Sequence, residues 1–376
     1  MTVTVPDHAP LRQAEEGCLA MADISGYTAY LAGSELDHAQ DVLADLTETV
    51  VNALAPPMRL SKLEGDAAFV YALGVQIDAS MLLDTVEATY FAFRRRQDAI
   101  DRATSCECNA CVLIPRLDLK FVAHHGRFVR QRVAGSEELS GSDVIVVHRL
   151  LKNTVAESLG HAAYAFYTDS MVAAMSVSPE VLGWQRHGEE VADIGPVQGW
   201  VADLHAAWAA ERERRRVKIS PEESRLTFAM DLPAARPVVW QYLTDPVLRP
   251  QWQAGTLRVD QKVADGRRGT GTTNHCVHGK AASLEEVLDW RPFDYYTIQT
   301  SIPAPMLAPV RMTMELAETP GGTRLTHYIV PGPGAGQSLL FRAIRGEFRR
   351  RMADGMSGLV ELLAQTPSAA PATRSG

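Results

Sequence analysis

The stretch "SKLEGDAAFVYAL", residues 61–73, decides how the first half of the chain is built. Lys62, Glu64 and Asp66 alternate beside Gly65, and the apolar run "AAFVYAL" follows at once. A short run that is apolar at every position predicts a strand buried on both faces. Gly65 and Asp66 then form a hairpin turn between it and the preceding "PMRLSKLEG", since glycine reaches left-handed backbone angles and aspartate tolerates them. Charge is thereby set at the edge of a core.

Upstream, "GCLAMADISGYTAYL" reads as an apolar strand that meets Asp23, turns at Ser25 and Gly26, and opens a helix. An amphipathic helix is expected over residues 35–55, before the hairpin. Asp23 and Asp66 both fall at strand ends, where aspartates cap helices and start turns routinely. As a pair, with the backbone N–H groups of Ile24, Ser25 and Gly26 beside them, they also suit a divalent cation and a polyphosphate.

At 376 residues, with 46% apolar and 22% charged residues, the chain has the composition of a globular protein long enough for two domains. A formal net charge of -8 argues against a general nucleic-acid or anionic-membrane binder, which needs a basic surface. The basic runs "ERERRRVK" and "FRRRM" read as solvated helix or linker. The start lacks the basic and apolar regions of a signal peptide, and no apolar run is of bilayer length, so a cytoplasmic protein without membrane contact is expected. Five cysteines, an odd number, do not resemble a secreted disulfide framework. A Pro and turn-rich passage after residue 210 marks a boundary. The expected organisation is a flexible start over 1–16, a first domain over 17–210, a linker over 211–222, a second domain over 223–365 and a disordered tail over 366–376.

The residues around the two acids resemble the catalytic domains of class III nucleotidyl cyclases. "MADISGYT" (21–28) is similar to the family's FADIxGFT strand, and "KLEGDA" (62–67) to its KxxGDA hairpin. "HHG" (124–126) and "GSDVIVVHRL" (141–150) follow in the order of its HxG and GxxVNxAxRL segments. The resemblance spans about 17–170 and implies a ferredoxin-like α/β sandwich. It makes Asp23 and Asp66 the ligands of Mg2+ or Mn2+, one ion at the ribose 3'-hydroxyl and one on the triphosphate, beside Ile24, Ser25 and Gly26. Lys62 and Glu138 take the base-reading positions. Arg149 becomes the arginine that stabilises charge on the phosphorus oxygens. Because the family shares each site between two protomers, a homodimer acting on a nucleoside triphosphate is implied.

Two positions depart from the family. Its Asn four residues before the arginine is Ile145 here, which removes a polar contact that orients the ribose. The second base-reading position, commonly Asp or Thr in adenylyl cyclases, is Glu138, a longer carboxylate that still accepts a hydrogen bond. The stretch "ATSCECNACVLIPRLDLKF" (103–121) is an insertion. Its Cys106, Cys108 and Cys111 offer three ligands for zinc or an iron–sulfur cluster, with His124, His125 or Cys276 as candidates for a fourth; alternatively they pack as reduced thiols.

In the second half alternation dominates. "RLTFAMDL" places Leu226, Phe228, Met230 and Leu232 on one face of a strand, and "VRMTMELAE" and "GTRLTHYIVP" repeat the pattern. A closing helix over 336–363 has apolar positions at Leu340, Ile344, Phe348, Met352 and Leu359. In "TNHCVHG" (273–279), Cys276 and His278 share a face and His275 takes the other, an incomplete metal set that reads as polar packing. The order of strand, "PAARPVVWQYLTD" helix, "DPVLRPQW" turn, strands and long helix resembles the START-like SRPBCC superfamily. That implies a helix-grip domain holding a small hydrophobic ligand. The whole is expected to be α+β: a cyclase-like signalling domain coupled to a ligand sensor. The alternatives are a nonenzymatic nucleotide- or partner-binding module with a ligand carrier, and a START-like enzyme acting on a hydrophobic substrate.

Overall fold

A computed structural model describes residues 13–365 except 75–77, 104–107, 134–135, 264–265, 279–280, 302–306 and 335. The expected tail, 366–376, lies outside the described residues. The chain divides between Glu211 and Arg212 into two compact units.

In unit 1, β1 (Glu15–Ser25) opens two residues before the expected Gly17 and leads through α1 (Tyr27–Gly33) and α2 (Leu36–Leu54) to the hairpin of β2 (Arg59–Glu64) and β3 (Ala67–Leu73). Then come α3 (Ala79–Ala103), α4 (Asn109–Val112), β4 (Asp118–Val133), β5 (Ser136–Ser140), α5 (Ser142–Leu150), α6 (Val155–Leu159), β6 (Tyr164–Thr168) and α7 (Asp169–Met175). The hairpin of β7 (Gln185–Val191) and β8 (Gly195–Asp203) follows, and then α8 (Leu204–Glu213), which runs two residues past the division. The sheet runs β2-β3-β1-β4-β6-β8-β7, with β5 paired to β4. β4 and β6 are parallel, and the other neighbours are antiparallel.

β3 is buried from Ala67 to Ala72, as its unbroken apolar run requires. The alternation of β1 serves both faces. Cys18, Ala20, Ala22 and Ile24 pack with Leu43 and Leu46 of α2 and Val86 and Tyr90 of α3. Leu19 and Met21 pack with Phe69 and Tyr71 of β3 and with Val144 and Val147 of α5. Continuing that second series, Asp23 falls on the α5 side. Gly65 takes φ +67° in the turn before β3, which an L side chain rarely adopts.

In unit 2, β9 (Leu226–Leu232), α9 (Arg236–Thr244) and α10 (Arg249–Trp252) precede β10 (Arg258–Lys262), β11 (Thr273–His278), β12 (Ala281–Arg291), β13 (Tyr295–Thr300), β14 (Val310–Thr319), β15 (Gly322–Val330) and α11 (Gln337–Gln365). The sheet is antiparallel in the order β10-β11-β12-β13-β14-β15-β9. Leu226, Phe228 and Leu232 are buried while Thr227, Ala229 and Asp231 face solvent, so β9 alternates as expected. α11 buries Phe341, Met356, Leu359 and Leu363. Its Ile344, Phe348 and Met352 pack half-buried against Leu226, Val310 and Ile329. The segment expected as a linker runs along this unit: Val217 N–H donates to Asp289 Oδ2 at 2.7 Å, and Ile219 N–H to Thr313 Oγ1 at 3.0 Å.

Trp240 of α9 is the hub of this core, edge-on to Trp290 at 4.7 Å, Tyr296 at 5.4 Å and Phe293 at 5.9 Å. Beside it Arg249 forks onto Glu285 at 2.7 and 2.9 Å, both nearly buried. Trp240→Ala leaves a cavity that these rings cannot collapse into, and it should lower the stability of unit 2 by about 3–5 kcal/mol in urea denaturation. A loss below about 1 kcal/mol would show that Trp240 is not the hub.

Candidate functional site

The hairpin turn and the end of β1 meet because β1 and β3 are neighbours in antiparallel register, Ala22 opposite Ala68. The Asp66 carboxyl comes within hydrogen-bonding reach of Asp23. Burial, and then the charge of Asp23, push the Asp66 carboxyl up to about 6. On the other side of β1, Asp23 stands opposite Lys120 of β4. Lys120 Nζ lies 3.1 Å from Asp23 Oδ2 and donates to the Leu151 carbonyl at 3.0 Å. Sequence reasoning missed Lys120; only strand register reveals it. One ammonium thus faces two carboxyl groups, and the site retains an excess of oxygen donors suited to a hard divalent cation.

Ile24 and Ser25 remain in the β1–β4 ladder, opposite Leu119 and Asp118. Gly26, at φ +86°, opens α1, and a Cβ there would stand 3.2 Å from the Arg116 carbonyl oxygen. A groove of about 570 Å³ is lined by Asp66, Gly65, Leu63 and Tyr27 and by Gln40, Leu43, Thr47 and Val51 of α2.

Lys62 and Glu138 come together at 3.4 Å, where β2 approaches β5. Lys62 also binds Glu64 at 2.9 Å, and Glu64 in turn binds His148 Nδ1 at 2.9 Å. The hydrogen bond that Lys62 donates to Glu64, against the opposing effect of burial, raises the Lys62 pKa. Glu64, which burial alone would raise, is held below the usual carboxylate range by Lys62 and His148. Among the described residues Arg149 makes no ion pair with Asp23 or Asp66: it is half exposed on α5 and pairs with Asp193 at 4.0 Å. Ile145, one turn earlier, is 52% exposed.

At the insertion, Cys106 lies outside the described residues. Cys108 and Cys111 meet His38 of α2 rather than His124 or His125. His124 is instead held by Thr168 at 2.9 Å, Ser170 at 3.1 Å and Asp143 at 3.3 Å, and His125 stands 3.7 Å from Glu16. His38 stands some 70 positions from the cysteines in sequence, and no local spacing singles it out. In unit 2, Cys276 is buried, while His278 bonds Thr256 and Ser283 at 3.2 Å each. These contacts are polar packing within a sheet. Among the described residues no helix is long and apolar enough to cross a membrane.

Comparison with known proteins divides the chain in the same way. Residues 224–364 match the family model described as polyketide cyclase / dehydrase and lipid transport, and residues 43–159 match one described as a protein of unknown function, DUF2652. An uncharacterized protein of Mycobacterium tuberculosis is 40% identical over 136 residues, 36% of this chain; the match spans 61% of that protein's length. Among solved structures, the guanylyl cyclase Cya2 is similar at 13% identity and a TM-score of 0.40, covering 50% of this chain and 92% of its own. The adenylyl cyclase CyaB from P. aeruginosa is similar at 15% identity and a TM-score of 0.37, over 51% of this chain and 95% of its own. A protein from Mesorhizobium loti is similar at 19% identity and a TM-score of 0.31, over 38% and 97%.

The crowding of the two acids has a measurable consequence. Because the folded chain holds the Asp66 proton that the unfolded chain releases at lower pH, the contribution of this group to stability declines as pH rises from the ordinary carboxylate range through about 6. Asp23→Asn removes the like charge and should move the Asp66 midpoint, followed by carboxyl NMR, back toward the ordinary range. An unchanged midpoint would mean that burial alone sets it.

Proposed function

We propose that unit 1 is a divalent-cation-dependent nucleoside-triphosphate site of the class III cyclase type, working as a homodimer, and that unit 2 carries a small apolar ligand. The observation that carries this reading is the convergence of Asp23 and Asp66 at joined strand ends, with a single lysine against two acids. Asp23 and Asp66 would hold Mg2+ or Mn2+, which when bound supplies positive charge to the polyphosphate and acidifies a coordinated hydroxyl. The remaining work belongs to the chain. Lys120 pairs with Asp23, orients it and adds positive charge beside the phosphates. The Lys62–Glu138 pair presents both a donor and an acceptor, the two groups needed to read a purine edge. In the reaction the ribose 3'-oxygen attacks the α-phosphorus, its proton passes to a base, and pyrophosphate leaves.

Arg149, exposed and weakly paired, is available to a second protomer's site, where it would meet charge growing on the phosphorus oxygens. A second reading, binding without turnover, is supported by Ile145, which presents an apolar surface where a ribose needs a hydrogen bond. For unit 2, a groove of about 390 Å³ at the start of α11 sets Arg225, Arg342 and Arg345 beside Leu339 and Phe341. That lining suits an apolar molecule with an acidic end.

Incubating the full chain with each nucleoside triphosphate and Mn2+, and identifying products by mass spectrometry, tests the reading. A cyclic monophosphate with equimolar pyrophosphate is expected. Asp66→Ala and Arg149→Ala should each abolish it, and mixing the two variants should restore a fraction, since mixed dimers keep one intact site. Ile145→Asn should raise a weak rate by restoring the ribose contact. Silence from wild type and Ile145→Asn with every nucleotide, while nucleotide still binds, would establish the binding-only reading.

A further inference from the structure

His38 Nδ1 lies 3.2 Å from Cys108 Sγ, the two sulfurs are 3.5 Å apart, and Cys111 Sγ lies 3.8 Å from the same Nδ1. We propose that His38, Cys108 and Cys111 bind one zinc ion that clamps α2 to α4, independently of any nucleotide chemistry at the acid pair.

The three ligand atoms lie within 4.8 Å of one another, close enough to share one tetrahedral ion. Zinc with sulfur at about 2.3 Å and nitrogen at about 2.0 Å sets an S–S edge of about 3.8 Å and N–S edges of about 3.5 Å. The observed edges of 3.5, 3.2 and 3.8 Å scatter about those lengths. The sulfurs are too far apart for a disulfide, whose bond is about 2.05 Å. Reduced thiols are the competing arrangement, since Cys111 Sγ lies 3.8 Å from Nε2 as well as from Nδ1, and metal content separates the two. The donor set also selects the metal. One imidazole with two thiolates suits zinc, whereas iron–sulfur clusters take thiolates at every position or a pair of imidazoles on one iron.

The surroundings are built to hold these ligands. Cys108 is the N-cap of α4 and Cys111 lies within it, so a C-x2-C knuckle turns both sulfurs to one side, with Cys111 N–H donating to the Cys108 carbonyl at 3.1 Å. Glu35, at the start of α2, accepts from Ala110 N–H at 3.1 Å and Asn109 N–H at 3.4 Å, and the buried Tyr30 hydroxyl donates to the Ala110 carbonyl at 2.7 Å. The same first turn of α2 that carries His38 therefore pins the knuckle backbone. Such outer contacts fix ligand orientation before metal arrives. The clamp joins α1, α2 and α4, and α1 begins four residues after Asp23.

The full-length protein, purified in reducing, metal-scrubbed buffer, should contain near one zinc per chain by mass spectrometry. Replaced by Co2+, it should show the sulfur-to-metal charge-transfer and intense visible bands of tetrahedral thiolate coordination. In competition with a chelating dye, Cys108→Ser and His38→Ala should bind zinc at least about tenfold more weakly, and Cys276→Ser should match wild type. Wild type that takes up neither zinc nor cobalt would overturn the proposal, as would iron with labile sulfide in place of zinc. Undiminished affinity in both variants would overturn the ligand assignment. Should the variants fail to fold, the cobalt spectrum of wild type decides the matter by itself.

Discussion

The antiparallel pairing of β1 with β3 on one side and β4 on the other is the constraint on which unit 1 depends. It places Ala22 opposite both Ala68 and Phe121, and so it brings the ends of three strands, with Asp23, Asp66 and Lys120, to one point. A slip of one residue in either ladder would turn Asp23 to the face occupied by Cys18, Ala20 and Ala22 and bury it among α2 and α3. The hydrophobic alternation of β1 is therefore what aims the acid. The core excludes the wrong register, and the polar cluster follows from the right one.

That cluster is not arranged for stability. Burial, and then the neighbouring Asp23, raise the cost of ionising Asp66, and one ammonium stands against the two acids beside the core. Crowding of this kind persists where the surrounding structure over-determines it, and it is frequent at functional sites. The chain of Lys62, Glu64, Glu138 and His148 contrasts with it, since its cations and acids alternate and satisfy one another. Unit 2 adds a different balance, a buried Arg249–Glu285 fork with Asn274 donating to Glu285 at 3.2 Å.

Much of this was legible in the sequence. The unbroken apolar run of β3, the turn at Gly65, the long amphipathic α2 and the alternation of β9 each have a local cause, and the α+β architecture of two units follows from their order. The nearness of Asp23 and Asp66 was legible through motifs that resemble a known family. Lys120 was not, because a lysine near the start of a strand, between Leu119 and Phe121, declares its partner only through strand register. His38 was hidden for a related reason: it serves a knuckle far away in sequence, and on α2 it looks like any polar residue of an exposed helix face. The apolar stripe of α11 was placed correctly, although Phe341 takes the core where Leu340 was expected and Leu340 is only half buried.

The account stands on cation binding between Asp23 and Asp66, and Mn2+ titration of the full chain followed by electron paramagnetic resonance addresses it directly. Bound Mn2+ is expected. Its affinity should rise as pH passes upward through about 6, where Asp66 loses its proton, and should fall by at least about tenfold in Asp66→Asn. A non-hydrolysable nucleoside-triphosphate analogue should tighten binding in wild type. Mn2+ affinity that is the same in wild type and Asp66→Asn, with or without the analogue, would contradict the account.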